Sequence, residues 1–262
     1  MTAGATVGDL AEGWRRAGVE TGTHVVVHSS LSSLGPVRGG AATVVESLRR
    51  AVGADGTIVV PTFTPQTADP DPGWRGVPDA PVLSRRAAVP VFTPDLPSPM
   101  GAIAEAVRRL PDAVRSRHPQ ASVAAVGSAA QAIVADQPLS FALGPGSPFA
   151  RLADLDGRIL LIGVGHNRNS FLHHAETFVP GRRLKLRRFP VLCDGERVWC
   201  ETLDVGDDND THFPVVGEDF ERYAGTTATT VAGARVVLLP ARQFVPFAVG
   251  RLTELLGQSR AG

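Results

Sequence analysis

The chain has 262 residues, of which 43% are hydrophobic, so it is long enough to form one large domain or two small domains with an ample core. Its 26 Lys and Arg residues balance its 26 Asp and Glu residues, and this zero net charge gives no indication of a nucleic acid or an anionic membrane as a partner. No long apolar run predicts a membrane-spanning helix, and two cysteines are too few for a disulfide framework or a metal site.

The N-terminal part of the chain has the pattern of an opening α/β sheet. Residues 1–10 lack the basic start and the apolar stretch of a secretory signal, so we expect a cytoplasmic protein. An amphipathic helix, an apolar strand, a loop rich in serine and glycine, a second helix and a second strand follow at residues 7–17, 24–28, 29–35, 41–52 and 57–60. This alternation of strands and helices is typical of the α/β class.

A long segment of different composition follows, from residue 62 to residue 99. It is rich in proline and shows no clear periodicity. A loop of this length in a compact domain is usually either functional or disordered. Because Phe63, Trp74 and Phe92 argue against disorder, we expect an ordered insertion that forms a lid or a wall of a cleft.

The rest of the chain continues the alternation of elements. Helices are predicted at residues 99–110, 215–223 and 242–256. Strands are predicted at residues 122–126, 158–162 and 235–239, with a hairpin at residues 186–203 that turns at Asp194-Gly195. We therefore predict a single α/β domain over residues 1–262, with a central mixed, mostly parallel sheet, flanking helices and the long ordered insertion.

The most informative stretch begins where the predicted strand 158–162 ends. Gly163 and Gly165 interrupt the apolar run and allow a sharp turn close to a ligand. An Asn/Ser cluster follows, which can cap a helix. His173 and Glu176 lie three residues apart on this helix, so they share a face and the carboxylate can orient the imidazole. Taken alone, the same pattern also fits the exposed polar start of an ordinary helix.

Several short motifs follow one another in a characteristic order. They are His28-Ser29-Ser30-Leu31-Ser32-Ser33-Leu34-Gly35, Gly39-Gly40, Gly56-Thr57, Val59-Val60-Pro61-Thr62, Arg115-Ser116-x-His118-Pro119, Ser147-Pro148, Leu161-Ile162-Gly163-Val164-Gly165-His166 and Leu172-His173-His174-Ala175-Glu176. Their order and spacing resemble the aminoglycoside 3-N-acetyltransferase family, whose members modify antibiotics with acetyl-CoA. The resemblance covers nearly the whole chain. It implies an antibiotic acetyltransferase-like fold that differs from the common small acetyltransferase fold.

The resemblance also implies a reaction. An acetyl group would pass from acetyl-CoA, the co-substrate, to the 3-amino group of the 2-deoxystreptamine ring of an aminoglycoside, which inactivates the drug. No metal, nucleic acid or membrane is implied, and the protein would be a monomer or a homodimer. An amine nucleophile needs a base whose pKa lies near the operating pH, and His173, supported by Glu176 or by an Asp further along the chain, suits that role. We expect direct attack without an acyl-enzyme, because no serine or cysteine lies in a nucleophile-elbow context.

The loop after the first strand is the expected acetyl-CoA site, because it is rich in hydroxyls and glycine. The expected cofactor-binding residues are His28, Ser29, Ser30, Leu31, Ser33, Val37, Arg38, Gly39, Gly40, Ser116 and Ser170. Arg38 and Arg115 are candidates to neutralise the CoA phosphates. A polycationic acceptor also needs carboxylates. The expected substrate-binding residues are Asp95, Glu105, Asp204 and Asp207, with Asp208 and Asp210 as further candidates.

Three other functions stay open. Phe92-Thr93-Pro94 departs from the Phe-Asp-Pro that is usual in the family, so an N-acyltransferase of the same scaffold could act on a different amine. A thiol-dependent acyltransferase or hydrolase would use Cys193 or Cys200, but both lie on predicted hairpin strands and not at a helix start, where a thiolate is stabilised. A non-catalytic binding protein would have no need for the pair formed by His173 and Glu176.

Two further histidines are weaker candidates. His174 points about 100° around the helix axis from His173, so we expect it to tolerate substitution better than its neighbour. His118, in the Arg-Ser-x-His-Pro motif, is expected to have a structural or a cofactor-side role.

Overall fold

The computed structural model describes residues 4–206 and 210–258. Its strands are β1 His24–Ser29, β2 Thr57–Pro61, β3 Val114–Arg115, β4 Val123–Gly127, β5 Arg158–Ile162, β6 Leu184–Cys193, β7 Glu196–Val205, β8 Thr229–Val231 and β9 Ala234–Pro240. Its helices are α1 Val7–Arg16, α2 Ala41–Val52, α3 Ala80–Ala87, α4 Ala102–Arg108, α5 Ala130–Val134, α6 Pro148–Asp154, α7 Phe171–Glu176, α8 Phe213–Tyr223 and α9 Ala241–Gln258. The helix predicted at residues 99–110 is shorter in the structure, because it begins only after Gly101, whose φ of +104° is not helical.

Seven strands of the described chain form one mixed sheet, in the order β3-β4-β2-β1-β5-β9-β8. β1 pairs in parallel with β2 and with β5, whereas all the outer pairings of the sheet are antiparallel. The predicted mixed α/β sheet is confirmed, but the expectation that it is mostly parallel is wrong. Parallel pairing is confined to the three central strands, because β4 and β9 enter the sheet in the opposite direction.

The central strands are apolar on both faces. In β1, Val26 belongs to a core cluster that includes Phe171, while Val25 and Val27 belong to a second cluster that includes Trp14. Successive side chains of a strand point to opposite faces, so a sheet covered on both sides needs a continuous apolar run. The carboxyl ends of β1, β2 and β5 therefore share one edge between the two layers, and the loops that leave this edge can form a site.

The segment from residue 62 to residue 99 is an ordered part of the domain, as predicted. It contains α3, and the guanidinium of Arg86 forms a buried ion pair with Asp69 at 2.6 Å. Burial opposes the ionisation of Asp69, but the hydrogen bonds from Arg86 and from the backbone N–H of Asp71, together with the charges of Arg86 and Arg188, outweigh burial and lower the pKa of Asp69. Arg197 of β7 donates to the backbone carbonyls of Arg86 and Val89. These contacts fix the insertion to β7.

β6 and β7 form a separate antiparallel hairpin. Its turn lies at the predicted position, where Asp194 and Gly195 adopt φ values of +50° and +82°. Two adjacent residues with positive φ are what a two-residue hairpin turn requires, so the predicted hairpin is confirmed. None of the described helices is both long enough and apolar enough to cross a lipid bilayer.

Candidate active site

The loop after β5 touches the serine-rich loop after β1. Gly163 adopts a φ of +62°, and a Cβ atom at this position would lie 1.7 Å from Oγ of Ser33. The Ser33 hydroxyl donates to the carbonyl of Ser30 at 2.6 Å, which keeps the serine-rich loop folded. Only glycine fits at position 163, and its presence lets the two loops lie side by side at the carboxyl edge of the sheet.

His173 and Glu176 lie on one face of α7, as their spacing predicts. Nδ1 of His173 is 3.1 Å from Oε2 of Glu176, and the imidazole packs edge-on against Phe213, with ring centroids 4.8 Å apart. An ionised carboxylate can only accept a hydrogen bond, so we assign the ring proton to Nδ1 and the lone pair to Nε2. Glu176 is buried, whereas the side chain of His173 is 16% exposed. The pair can therefore accept a proton at Nε2 of His173.

His173 lines a cavity of about 440 Å³, which we call the His173 cavity. The other polar residues of its lining are Gln120, Asn167, Arg168, Arg187, Asp204 and Asp210. Burial raises the pKa of Asp204, which accepts a hydrogen bond from the N–H of Val205 and lies 3.9 Å from the guanidinium of Arg187. A cavity of this volume is typical of small-molecule sites, and its two carboxyl groups can bind ammonium groups.

A second cavity, of about 500 Å³, runs along the loop after β1, and we call it the serine-loop cavity. The polar residues of its lining are His28, Ser29, Ser30, Ser32, Arg168 and Ser170. Burial, together with the nearby His166, lowers the pKa of His28 to about 3, so its ring is neutral at physiological pH. Nε2 of His28 has no hydrogen-bond partner among the described residues. A buried polar atom without a partner costs about 1–3 kcal/mol, so His28 has an unused hydrogen-bonding group beside this cavity.

The two cavities adjoin, because Met100 and Arg168 line both of them. Met100 precedes α4, and Arg168 ends the short 3₁₀ turn His166–Arg168 between β5 and α7. Two molecules bound in the two cavities would therefore meet near Met100 and Arg168. Such an arrangement suits a reaction between two substrates that are held side by side.

Part of the predicted cofactor-binding set lies away from the serine-loop cavity. Leu31 lines the cavity, with the histidine and the serines named above. The members outside its lining are Ser33, Val37, Arg38, Gly39, Gly40 and Ser116. Val37 forms a β-bridge with Ala5, and the N–H of Arg38 donates to the carbonyl of Ala5. This turn therefore packs on the N-terminal segment and leads into α2.

Ser116 and Arg115, both predicted to contact CoA, form hydrogen bonds within the protein. The hydroxyl of Ser116 is buried, where it donates to Gln137 and accepts from the N–H of Val123. The guanidinium of Arg115 donates to the carbonyl of Pro94 at 2.9 Å and to other backbone groups of the insertion. Neither residue lines the His173 cavity or the serine-loop cavity.

Two of the carboxylates expected to bind substrate lie outside both cavities. The side chain of Glu105 accepts hydrogen bonds from Arg108, which lower the pKa of Glu105 to about 2. This carboxylate is therefore already paired within α4. Asp95 is exposed in the loop before α4 and lines neither cavity. Asp207, also expected to bind substrate, and Asp208 lie outside the described residues.

His174 and His118 are buried and form hydrogen bonds with the backbone. His174 is buried, with Nδ1 2.6 Å from the carbonyl oxygen of Leu143. Its substitution would leave a cavity in the core, so the tolerance expected from the sequence does not agree with its burial. Nδ1 of His118 accepts from the N–H groups of Gln120 and Ala121, and burial lowers the pKa of His118 to about 4.

The two cysteines lie on the hairpin, as predicted. Cys193 is exposed and Cys200 is half-buried, and both are free thiols. Neither lines the His173 cavity or the serine-loop cavity. Their placement gives no support to a thiol nucleophile in this site.

The sequence pattern did not single out Met100, Arg168, Asn167 or Arg187 as lining residues. Arg168 and Asn167 lie inside the most informative motif, between Gly165 and the helix that carries His173. This position in the motif is the sequence feature that could have identified them as lining residues. Met100 lies just before α4 and Arg187 lies in β6, and no local pattern connects these segments with the motif.

Known proteins are similar to this chain in sequence and in fold. Residues 26–253 match the sequence model of a family described as aminoglycoside 3-N-acetyltransferase. The chain is 36% identical over 276 residues to aminoglycoside N(3)-acetyltransferase VII of Streptomyces paromomycinus, which covers 96% of this chain and 92% of the relative. Among solved structures, AAC-VIa bound to sisomicin has a TM-score of 0.87 and 31% identity, with 97% of this chain and 99% of that chain covered. AAC-IIIb in a binary complex with CoASH has a TM-score of 0.85 and 27% identity, with coverages of 97% and 98%.

Proposed function

This chain belongs to the aminoglycoside 3-N-acetyltransferase family, and from that premise we propose that it transfers an acetyl group from acetyl-CoA to the 3-amino group of the 2-deoxystreptamine ring of an aminoglycoside. The transfer inactivates the antibiotic. The observation that carries the proposal is the position of His173, paired with the buried Glu176, on the lining of a cavity that adjoins a second one. The proposal treats residues 1–262 as one antibiotic N-acetyltransferase domain.

His173 is the general base in this proposal. As the neutral amine forms the new C–N bond, its proton passes to Nε2 of His173. Glu176, at Nδ1, stabilises the imidazolium that results and fixes the orientation of the ring. The C–S bond of the thioester then breaks, and the CoA thiolate takes up the proton from His173. The products are one acetamide and one CoA thiol, and no acyl-enzyme is formed.

The serine-loop cavity is the proposed site of the pantetheine arm of acetyl-CoA. Ser29, Ser30 and Ser170 line the cavity, and the unpartnered Nε2 of His28 adds a hydrogen-bonding group that is shielded from water. These groups suit pantetheine, which contains two amides and ends in the thioester. We place the nucleotide end of CoA along residues 37–40, where an arginine and the amino end of α2 favour phosphate. Binding of CoASH by AAC-IIIb supports the choice of donor.

The His173 cavity is the proposed site of the aminoglycoside. Such a substrate carries several ammonium groups, which must be paired with carboxylates when they leave water. Asp204 and Asp210 line this cavity, and Asp207, which lies between them in the sequence, completes the proposed set. Phe63 provides apolar surface for the sugar rings. Binding of sisomicin by AAC-VIa supports the choice of acceptor.

Incubation of the purified protein with acetyl-CoA and a panel of amines tests this function, with the released CoA thiol as the readout. Aminoglycosides that carry the 3-amino group should release thiol. Matched derivatives with a hydroxyl group at that position should not. Thiol release with simple amines alone would favour the alternative function, an acetyl-CoA-dependent N-acyltransferase of the same scaffold that acts on a non-aminoglycoside amine.

The replacement Ser30→Phe should raise the KM for acetyl-CoA by about 10-fold or more, because overfilling a packed site costs about 1–3 kcal/mol. The Ser30 hydroxyl lies 3.0 Å from that of Ser32 on the lining of the serine-loop cavity. The KM for the aminoglycoside should stay close to the wild-type value. Ser84→Phe, at an exposed position of α3, is the matched control. An unchanged KM for acetyl-CoA in Ser30→Phe would place the donor elsewhere.

The replacement Asp204→Asn should raise the KM for the aminoglycoside by about 10- to 100-fold, because a hydrogen bond to a charged group contributes about 1.5–3 kcal/mol. Asparagine has the same shape and can still accept the hydrogen bond from Val205, so the fold should be retained. Asp194→Asn, in the exposed hairpin turn, is the control. Steady-state kinetics with each substrate varied in turn gives the KM for the aminoglycoside and the KM for acetyl-CoA. Equal rises in both KM values would indicate a folding role for Asp204.

A further inference from the structure

Arg168 occupies a position that the reaction described above leaves unused. Its exposed side chain lines both the His173 cavity and the serine-loop cavity. Its guanidinium forms no hydrogen bond or ion pair with any other described residue. The ring of His28 is neutral, so Arg168 is the one charged side chain among the described residues that line the serine-loop cavity. A cation that no described side chain neutralises therefore lies where the two proposed substrates meet.

The backbone that carries Arg168 is fixed by buried contacts on both sides. Nε2 of His166 lies 2.9 Å from Oε1 of Glu221. A Cβ atom at position 217 would lie 1.9 Å from Cγ of His166, so Gly217 lets α8 pack directly against that ring. On the other side, the side chain of Asn169 accepts a hydrogen bond of 3.1 Å from the backbone at the start of α7. The guanidinium can therefore adjust by its own rotamers while its backbone stays in place.

Acetyl transfer creates negative charge at two successive atoms. The carbonyl oxygen of the thioester becomes an oxyanion when the amine attacks, and the charge moves to the CoA sulfur when the C–S bond breaks. A guanidinium carries a permanent charge and five N–H donors, so it can interact with both atoms without gaining or losing a proton. A nearby cation also favours the neutral form of the attacking amine.

We propose that Arg168 is a further catalytic residue, which stabilises the negative charge first on the thioester oxygen and then on the departing CoA sulfur. This inference rests on the proposed transfer from acetyl-CoA. In this scheme His173 carries the proton and Arg168 balances the charge. A role for Arg168 in holding the acceptor is disfavoured, because a cation repels the ammonium groups of an aminoglycoside.

The ionisation of bound CoA tests the inference without any acceptor. The ultraviolet absorbance of the thiolate is followed against pH for CoA bound to the wild type, to Arg168→Met and to Arg16→Met, a control on the exposed face of α1. An opposite charge nearby lowers a pKa by about 1 or more, so the pKa of the bound thiol should be lower in the wild type and the control than in Arg168→Met. Equal values in all three proteins would overturn the inference alone. Failure of the wild type to bind CoA would overturn the proposed donor, and the inference with it.

The kinetics provide an independent measurement. Arg168→Met should lower kcat by about 100-fold, because removal of one group that stabilises an oxyanion typically costs 10²–10³-fold. Its KM for acetyl-CoA should change little, and Arg168→Lys should recover part of kcat because lysine keeps the charge. A change confined to the KM for the aminoglycoside, with kcat unaltered, would contradict the proposed role.

Discussion

Replacement of His173 by alanine is expected to lower kcat by about 10²–10⁴-fold, which is the usual contribution of general-base catalysis. The side chain is partly exposed to the His173 cavity, so its removal should leave the fold intact. What is lost is the Nε2 lone pair that accepts the proton of the amine. Steady-state kinetics at saturating acetyl-CoA measures the effect, and calorimetric titration with CoA should show affinity close to that of the wild type.

Variants of two neighbouring residues distinguish a loss of base catalysis from a loss of packing. Glu176→Gln keeps the volume of the side chain but removes its charge, so it should lose less activity than His173→Ala. His174→Ala should lower the melting temperature, because the imidazole is buried and bonded to Leu143. Near-normal turnover by His173→Ala, or an acetylated enzyme trapped by mass spectrometry, would show that the mechanism is wrong. Loss of activity in Cys200→Ala would point instead to a thiol nucleophile.

Replacement of Gly163 by alanine is expected to destabilise the protein by about 3 kcal/mol, the sum of backbone strain and steric overlap. The residue has a φ of +62°, which side chains other than that of glycine rarely adopt. The new methyl group would also lie 2.2 Å from Cβ of Ser33. Relief of this overlap must separate the loop after β5 from the serine-rich loop, so binding of CoA should weaken as well. Urea unfolding gives the change in stability.

Two control variants show whether the contact between position 163 and Ser33 causes the loss of stability. Gly73→Ala should be nearly neutral, because no atom lies within 4 Å of the added methyl group. The double variant Gly163→Ala/Ser33→Gly should recover part of the lost stability, since it removes the atoms that the methyl group meets. If Gly163→Ala unfolds at the same urea concentration as Gly73→Ala, the two loops are not in contact in solution.

The local geometry of the site is predictable from the sequence because it depends on short-range periodicity. Three residues correspond to nearly one turn of a helix, so the spacing of His173 and Glu176 already places both side chains on one face. The apolar run that forms β5 ends at the first glycine of the motif, and its predicted bounds are the observed ones, Arg158–Ile162. The left-handed backbone of Gly163 agrees with the sharp turn expected there.

The features that were missed depend on contacts between distant parts of the chain. The direction in which β9 pairs with β5 follows from the path of the intervening chain, which an apolar run does not specify. Glu105 is a local exception: its carboxylate is paired with Arg108 and Arg109, one helical turn further along the chain. Met100 and Arg168 both line the two cavities, although they lie far apart in the sequence.

The site of acetylation on the product is the most direct test of the proposed function. The wild-type protein is incubated with acetyl-CoA and an aminoglycoside that contains 2-deoxystreptamine, and the purified product is examined by nuclear magnetic resonance. We predict a single new acetamide on the 3-amino group, formed together with one equivalent of CoA thiol, and strongly reduced product with His173→Ala. Acetylation of a different amine or of a hydroxyl group, or the absence of any acetylated product, would contradict it.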